Sequence, residues 1–239
     1  MSYVIKVQGY TYPPLRGIKT MSIALGIECP DGAVLGTDRQ ITKEGGLKYQ
    51  QRKISICNVT GNIPLQYAFA YCGDPDAAAT IEREIGRELL AGICSSDVFN
   101  FDLVFADIRR AFGRKENKDL ESLILMGSPS IKPFLLRTKG AKVVHGKIEC
   151  IGVGDSSVIH YLSELLPKKL TLDKASQVVA YLVSLANRYI DGCGFGPDVV
   201  FMGKGRECIM EISEKEKTAW AQKFKDFESG MSERIGQWD

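Results

Sequence analysis

Three side chains with complementary chemistry stand at the ends of predicted strands near the start of the chain. Ser22 opens one apolar run, Asp38 directly follows the next, and Lys53 opens a third. A hydroxyl, a carboxylate and an ammonium in contact could form a catalytic site, because a neighbouring lysine favours the ionised form of a nucleophile. The same residues could also form a plain structural ion pair on an ordinary hairpin with charged edges.

The elements that would position these side chains are short strands. Residues 23–28 and 33–37 flank a Pro-Asp-Gly turn, a pattern that predicts a β-hairpin. A Gly-Gly loop then leads to Lys53 and to a strand with alternating apolar and polar residues. A nearly continuous apolar run at residues 65–72 predicts a further strand that is covered on both faces.

Helices and strands then alternate in blocks. A helix is predicted over residues 76–93, and a second, capped by Ser96 or Asp97, reaches about residue 113. The later elements are predicted as a second sheet of strands at residues 120–126, 133–138, 143–144 and 148–151, helices at 156–166 and 171–190, strands at 199–202 and 208–212, and a charged helix at 213–229. This order predicts an α+β fold, a four-layer αββα sandwich with two mostly antiparallel sheets between two helical layers.

The domain organisation follows from where this regular pattern begins. Residues 1–20 are interrupted by Pro13, Pro14 and Gly17, so we interpret them as an extension: a propeptide, an edge strand or a clamp on a neighbouring subunit. Residues 21–239 contain no linker or low-complexity run and are predicted to form one domain.

Composition argues against several function classes. A net charge of +2 and the lack of a basic stripe predict neither nucleic-acid nor membrane binding. The seven cysteines are scattered without a CxxC pair, which is typical of small buried side chains in a reducing cytoplasm. With only His145 and His160 to add imidazoles, neither a metal nor another cofactor is expected.

The order of these motifs resembles the proteasome family of N-terminal nucleophile (Ntn) hydrolases, meaning its β-type subunits and the related bacterial HslV protease. Residues 25–27 and 31–35 resemble the family's first two strands, and Gln40 is more similar to HslV than to most proteasome subunits. Further similar segments, in order, are residues 37–42, Lys53-Ile54, Asp76-Ala77, Gly152-Val153-Gly154, Asp191 with its glycine-rich loop, and residues 198–200.

The resemblance implies a role for each candidate site residue. Ser22 falls where the family has its nucleophilic threonine, Asp38 and Lys53 where it has the carboxylate and the activating lysine, and Asp191 where it has a second aspartate. In such enzymes the α-amino group of the first residue takes the proton of its own hydroxyl. The backbone N–H near Cys72, which lies where the family usually has glycine, would stabilise the oxyanion.

Three departures count against activity. Met21 precedes Ser22 where self-cleaving precursors have glycine, Val153 replaces a serine, and a second helper serine is missing around Gly194. The dipeptide Met21-Ser22 also resembles a translation start, so removal of an initiator methionine would expose Ser22 without self-cleavage.

Three functions therefore stay open. The first is a threonine-peptidase-like hydrolase that uses Ser22 to cut peptides or unfolded proteins inside an oligomer. A weaker possibility is an amidase of small molecules on the same fold. Another is a catalytically inactive proteasome-like ring subunit that serves as a scaffold. Self-association into rings or other oligomers is implied in either case, and Val98, Phe99 and Phe105 support it unless they simply widen the core face of their helix.

Overall fold

The computed structural model of the chain describes residues 6–7, 10–11, 22–42, 47–113, 120–152 and 170–235. The predicted helix at residues 156–166, as well as Met21 and Val153, lies outside these residues. Of the N-terminal extension, only an antiparallel pair of two-residue strands is described, β1 (Lys6–Val7) with β2 (Tyr10–Thr11).

The first large sheet carries the predicted hairpin at its centre. Its strand order is β12-β3-β4-β13-β14, and all of its pairs are antiparallel. These strands are β3 (Ile23–Cys29), β4 (Gly32–Thr37), β12 (Ile148–Gly152), β13 (Asp198–Gly203) and β14 (Met210–Glu211).

The second large sheet has the order β11-β10-β9-β8-β7 and is also antiparallel throughout. Its strands are β7 (Ile54–Val59), β8 (Leu65–Cys72), β9 (Glu121–Ser128), β10 (Ile131–Lys139) and β11 (Lys142–His145). A small hairpin, β5 (Gln40–Thr42) with β6 (Lys48–Gln50), stands between the two sheets in the sequence.

Helices cover the outer faces of both sheets. On the second sheet lie α1 (Pro75–Ala91) and α2 (Phe101–Gly113), and on the first lie α3 (Leu172–Tyr189) and α4 (Glu214–Ile235). Because Asp31 in the β3–β4 turn accepts hydrogen bonds from Leu172 N at 2.9 and 3.1 Å, the first turn of α3 is capped from the first sheet. Of the helices described, none is both long and apolar enough to cross a membrane.

Three apolar layers hold these four structural layers together. One cluster lies between α1, α2 and the second sheet, another between the first sheet and α3 and α4, and a third between the two sheets. Strand alternation explains this, since Leu123 and Leu125 of β9 belong to the inner cluster whereas Ile124 and Met126 face the helices. The predicted four-layer αββα sandwich is therefore confirmed.

Two details of the sequence prediction were wrong. The second helix begins at Phe101, not after Ser96 or Asp97, because Asn100 caps it: the Asn100 Oδ1 atom accepts from Asp102 N at 2.7 Å. A short 3-10 turn, Ile93–Ser95, occupies the preceding segment, held by Asp107 Oδ2, which accepts from Ile93 N at 2.9 Å.

The later strands also do not form a sheet of their own. β9, β10 and β11 extend the sheet of β7 and β8, whereas β12 crosses to the first sheet and pairs with β3. The apolar pattern of these strands is the same in either partnership, so it could not distinguish them.

The apolar residues expected to support self-association are divided between the core and the surface. Phe99 and Phe105 pack against the helix-side core, as a wide core face would require. Val98 is 71% exposed, and Phe101 of α2 and Val144 of β11 are exposed as well.

Candidate active site

Ser22, Asp38 and Lys53 meet in one hydrogen-bonded cluster between the two sheets. The Lys53 Nζ atom donates to Ser22 Oγ at 2.7 Å and to both oxygens of Asp38 at 2.8 Å. Four per cent of Ser22, one per cent of Lys53 and none of Asp38 is exposed. The structure therefore brings these three candidate residues into contact, while their catalytic role stays a prediction.

The Asp38 carboxylate is fully occupied by donors. Besides Lys53, its Oδ1 atom accepts from Ile23 N at 3.1 Å and its Oδ2 atom from Gln40 N at 2.9 Å. The hydrogen bonds from two backbone N–H groups and from the ammonium offset the cost of removing this carboxylate from water. Asp38 therefore fixes the position of Lys53 and leaves its third proton for Ser22.

Strand ends place these groups. Ser22 immediately precedes β3 and Asp38 immediately follows β4, and Asp38 N donates to Ile23 O at 3.3 Å across that hairpin. Lys53 immediately precedes β7 of the opposite sheet, so its side chain bridges the space between the sheets. A long side chain is needed for this, because stacked sheets lie about 10 Å apart.

Gly152, the last residue of β12, lies directly against Ser22. It pairs with Ile23 in the sheet, its φ is +90°, and a Cβ atom built on it would overlap Ser22 O. Glycine is needed here for two reasons: the backbone conformation is one that L residues rarely adopt, and Ser22 leaves no space for a side chain. Gly152 therefore fixes the main chain of Ser22.

Two buried thiols flank the cluster. The Sγ atom of Cys72 would lie 2.9 Å from a Cβ on Gly152, which places Cys72 close to Ser22. Burial raises the pKa of Cys72 well above its ordinary value, although the Lys53 charge partly opposes this. Burial likewise raises the pKa of Cys193 to about 12, so neither thiol is a thiolate near neutral pH. That the Cys72 N–H stabilises an oxyanion stays a prediction.

The loop after α3 is attached to the segment that carries Asp38. Arg39 N donates to Gly194 O at 2.9 Å, and the Arg39 guanidinium pairs with the buried carboxylate of Asp198. Gly194 contacts Gln40, since an added Cβ would lie 2.6 Å from Gln40 Oε1. A serine at position 194 would therefore displace Gln40.

Asp191 is not brought to the cluster. Its side chain is 80% exposed and pairs with Lys48 of β6 at 2.7 Å. The hydrogen bond and the charge of Lys48 lower the pKa of Asp191. The role that the resemblance implies for Asp191 therefore stays a prediction, and in this arrangement its carboxylate faces Lys48 rather than Ser22.

One carboxylate close to the cluster was missed from the sequence. Glu121, the first residue of β9, pairs in register with Cys72, and its Oε2 atom accepts from Gly152 N at 3.4 Å. A carboxylate at the start of an otherwise apolar strand is the signal that could have revealed it. Across the described ranges, no three His, Cys, Asp or Glu side chains form a group able to hold a metal ion.

Comparison with known proteins gives structural relatives. Neither a protein-family model nor a curated protein matches the sequence. A mutant of Anbu from Hyphomicrobium sp. strain MC1 superposes with a TM-score of 0.74 at 11% identity, covering 91% of this chain and 98% of that one. A second Anbu structure from that strain gives 0.72 at 12% identity, and Anbu (ancestral beta-subunit) from Yersinia bercovieri gives 0.69 at 13%, with the same coverages.

These relatives correct the resemblance inferred from the sequence. Assignment to the β-type subunits and HslV was wrong, because the structures that this chain is similar to are Anbu proteins, a distinct proteasome-like group. Motifs such as Gln40 were therefore misleading about the group. At this level of identity the comparison shows the fold alone, and that fold is the proteasome-like Ntn fold.

Proposed function

We propose that this chain is an Ntn hydrolase that cleaves peptide or other amide bonds with the Ser22 hydroxyl once Ser22 is the first residue. The observation that carries the proposal is the buried contact of Lys53 Nζ with Ser22 Oγ at 2.7 Å, with Asp38 holding the same ammonium at 2.8 Å. A structural ion pair does not require a third, reactive partner, and here that partner is a serine at the start of a strand.

The first half of the reaction forms an ester. Ser22 Oγ attacks the substrate carbonyl carbon, and its proton passes to the α-amino group of the same residue, whose ordinary pKa of about 8 suits a base at neutral pH. The ammonium formed then gives that proton to the leaving nitrogen as the C–N bond breaks. In the second half a water molecule, deprotonated by the same amine, hydrolyses the ester and releases Ser22.

Lys53 and Asp38 support this chemistry without exchanging protons in it. The Lys53 charge lies 2.7 Å from Ser22 Oγ and stabilises the negative charge that develops there. Asp38 keeps Lys53 in place, and the Cys72 N–H at the end of β8 is the proposed oxyanion donor. The buried setting strengthens each of these interactions, because little water is present to screen them.

The setting of this activity is part of the proposal. Residues 1–20 are either a propeptide that is removed together with Met21 or an untranslated segment, in which case Met21 is lost as the initiator methionine. Self-association is supported by the exposed side chains Val98, Phe101 and Val144, and by the words "ancestral beta-subunit" in the name of one relative. The seven cysteines are all free, which is consistent with a cytoplasmic location.

The test is covalent labelling by an electrophile that reacts with N-terminal nucleophiles, followed by peptide mapping. We expect an adduct on Ser22 in a chain that begins there and none in Ser22→Ala. In Lys53→Ala the reaction should be at least about tenfold slower, because the lysine charge stabilises the transition state by about 1.4 kcal/mol or more. Ser55→Ala, which removes a serine from neighbouring β7, is the matched control and should label normally.

A single observation favours the alternative of an inactive scaffold. Asp191 is turned toward Lys48 and away from Ser22, whereas the resemblance implies that it serves the nucleophile. If the chain that begins at Ser22 gives no adduct while still assembling into an oligomer by light scattering, the scaffold is the function that is left.

A further inference from the structure

The proposed mechanism places a positive charge on the Ser22 nitrogen, and that charge needs a counter-ion. Asp38 is unable to provide it, because its two oxygens already accept from Lys53, Ile23 N and Gln40 N, four hydrogen bonds in all. An ionised carboxylate has about four such acceptor positions. The anion for the amine must therefore come from another residue.

Two other carboxylates lie on elements around the cluster, but each pairs with a cation of its own. Asp198 is on β13, which β4 separates from β3, and its Oδ1 atom accepts from the Arg39 guanidinium. Its buried Oδ2 atom has no partner among the described residues, but it is two strands away from the start of β3. Asp191 pairs with Lys48 and is 80% exposed.

Glu121 lies on the correct face of the correct strand. Side chains alternate along β9, and Leu123 and Leu125, which share a face with Glu121, belong to the cluster between the sheets. Glu121 is directly opposite Cys72 in the β8–β9 pairing, and Cys72 belongs to the same inner cluster. The side chain of Glu121 is only 15% exposed. Glu121 is therefore on the inner face of β9, the face that points toward the space between the sheets.

Glu121 contacts Gly152, the residue that lies directly against Ser22. Its Oε2 atom accepts from Gly152 N at 3.4 Å, and Gly152 lies against Ser22 O. Its Oε1 atom pairs with Lys139 at 2.7 Å. The long bond to Gly152 leaves Oε2 with acceptor capacity for a stronger, charged donor.

We propose that Glu121 is a positioning residue that binds the α-amino group of Ser22 and stabilises its protonated form. This inference rests on the proposed function, because it concerns the chain whose first residue is Ser22. Glu121 takes no proton itself: the proton moves from Ser22 Oγ to the amine and then to the leaving nitrogen, while the carboxylate holds the ammonium between these transfers. It supplies the acceptor that Val153 is unable to offer.

Other charged and titratable groups also face this position. Lys53 and Lys139 lower the proton affinity of the amine, and Asp38 raises it. Burial raises the pKa of the Cys72 and Cys193 thiols, so both are neutral near pH 7. Of these groups, Glu121 is the one whose negative charge is not already shared among four donors. Removing that charge should therefore change the pKa of the amine more than removing any of the others.

The experiment measures the pKa of the α-amino group by competitive acylation across pH in a chain that begins at Ser22. Glu121→Gln keeps the shape of the side chain and should lower the amine pKa by about one unit, the usual effect of losing an opposite charge at close range. Lys139→Met should raise the amine pKa, because the substitution frees Glu121 from its partner. Lys139 is 64% exposed, so the fold should tolerate this substitution. Glu82→Gln, on α1 outside the sheets, is the matched control and should leave the pKa unchanged.

The direction of these shifts decides the proposal. An amine pKa that stays the same in Glu121→Gln, or that moves in the same direction in Glu121→Gln and Lys139→Met, overturns it. Where the enzyme is active, the acid limb of kcat/KM should move to lower pH in Glu121→Gln, since the amine must be neutral to act as a base. The acylation measurement needs no activity, so failure of the hydrolase proposal and failure of this one are separate results.

Discussion

Removing the charge of Asp38 should lower the free energy of unfolding far more than the small change in side-chain size suggests. In Asp38→Asn the ammonium of Lys53 stays buried, with one per cent of the residue exposed, but its counter-ion is gone. The new amide also turns an NH2 group toward either Ile23 N or Gln40 N, which replaces an acceptor by a donor.

The magnitude follows from this loss of a buried partner. Breaking such a pair by removing one member costs about 3–5 kcal/mol. In a chain of 239 residues, each kcal/mol lowers Tm by about 2–4 °C, so a fall of roughly 6–20 °C is expected. Lys53→Met should cause a similar loss, because it leaves the Asp38 carboxylate buried without its cation.

The assay is a double-mutant cycle followed by urea unfolding. The pair Asp38→Asn/Lys53→Met leaves no buried charge, so it should be little worse than either single variant, with a coupling energy of about 3 kcal/mol. The exposed pair Lys48–Asp191 is the matched control, and Asp191→Asn with Lys48→Met should leave the unfolding midpoint unchanged. Additive losses from Asp38 and Lys53 would refute the reasoning, because they would mean that neither residue is stabilised by the other.

Two further predictions concern the surroundings of Ser22. Burial raises the pKa of Cys72 and raises that of Cys193 to about 12, so a thiol reagent at pH 8 should modify the exposed Cys208 first. Mass mapping that finds Cys72 or Cys193 modified as fast as Cys208 would contradict this. Gly152→Ala should lower the free energy of unfolding by more than about 3 kcal/mol and abolish labelling of Ser22, because the new Cβ atom would overlap Ser22 O. Gly205 also has a positive φ but open space around it, so Gly205→Ala should cost about 1–3 kcal/mol and leave labelling intact. Equal losses in the two variants would exclude steric contact with Ser22 as the cause.

The elements of the fold were largely predictable because each depends on local pattern. The β3–β4 hairpin, the buried strand β8 and helices α1 and α3 lie within a few residues of their predicted bounds. The errors arose where a side chain from elsewhere decides the outcome. Asn100 rather than Ser96 caps α2, since Asp107 holds the preceding 3-10 turn in place.

The sequence by itself determined the residue types at the strand ends, and with them the contact of Ser22 with Lys53 and Asp38. Each of these residues directly adjoins a strand, so the hairpin and the stacking of sheets are enough to bring them together. Only the tertiary structure decided that Glu121 faces the site and that Asp191 turns to Lys48. An alternating apolar pattern states which face of a strand is buried but not which strand lies beside it, and a side chain in a loop has no pattern that fixes its direction.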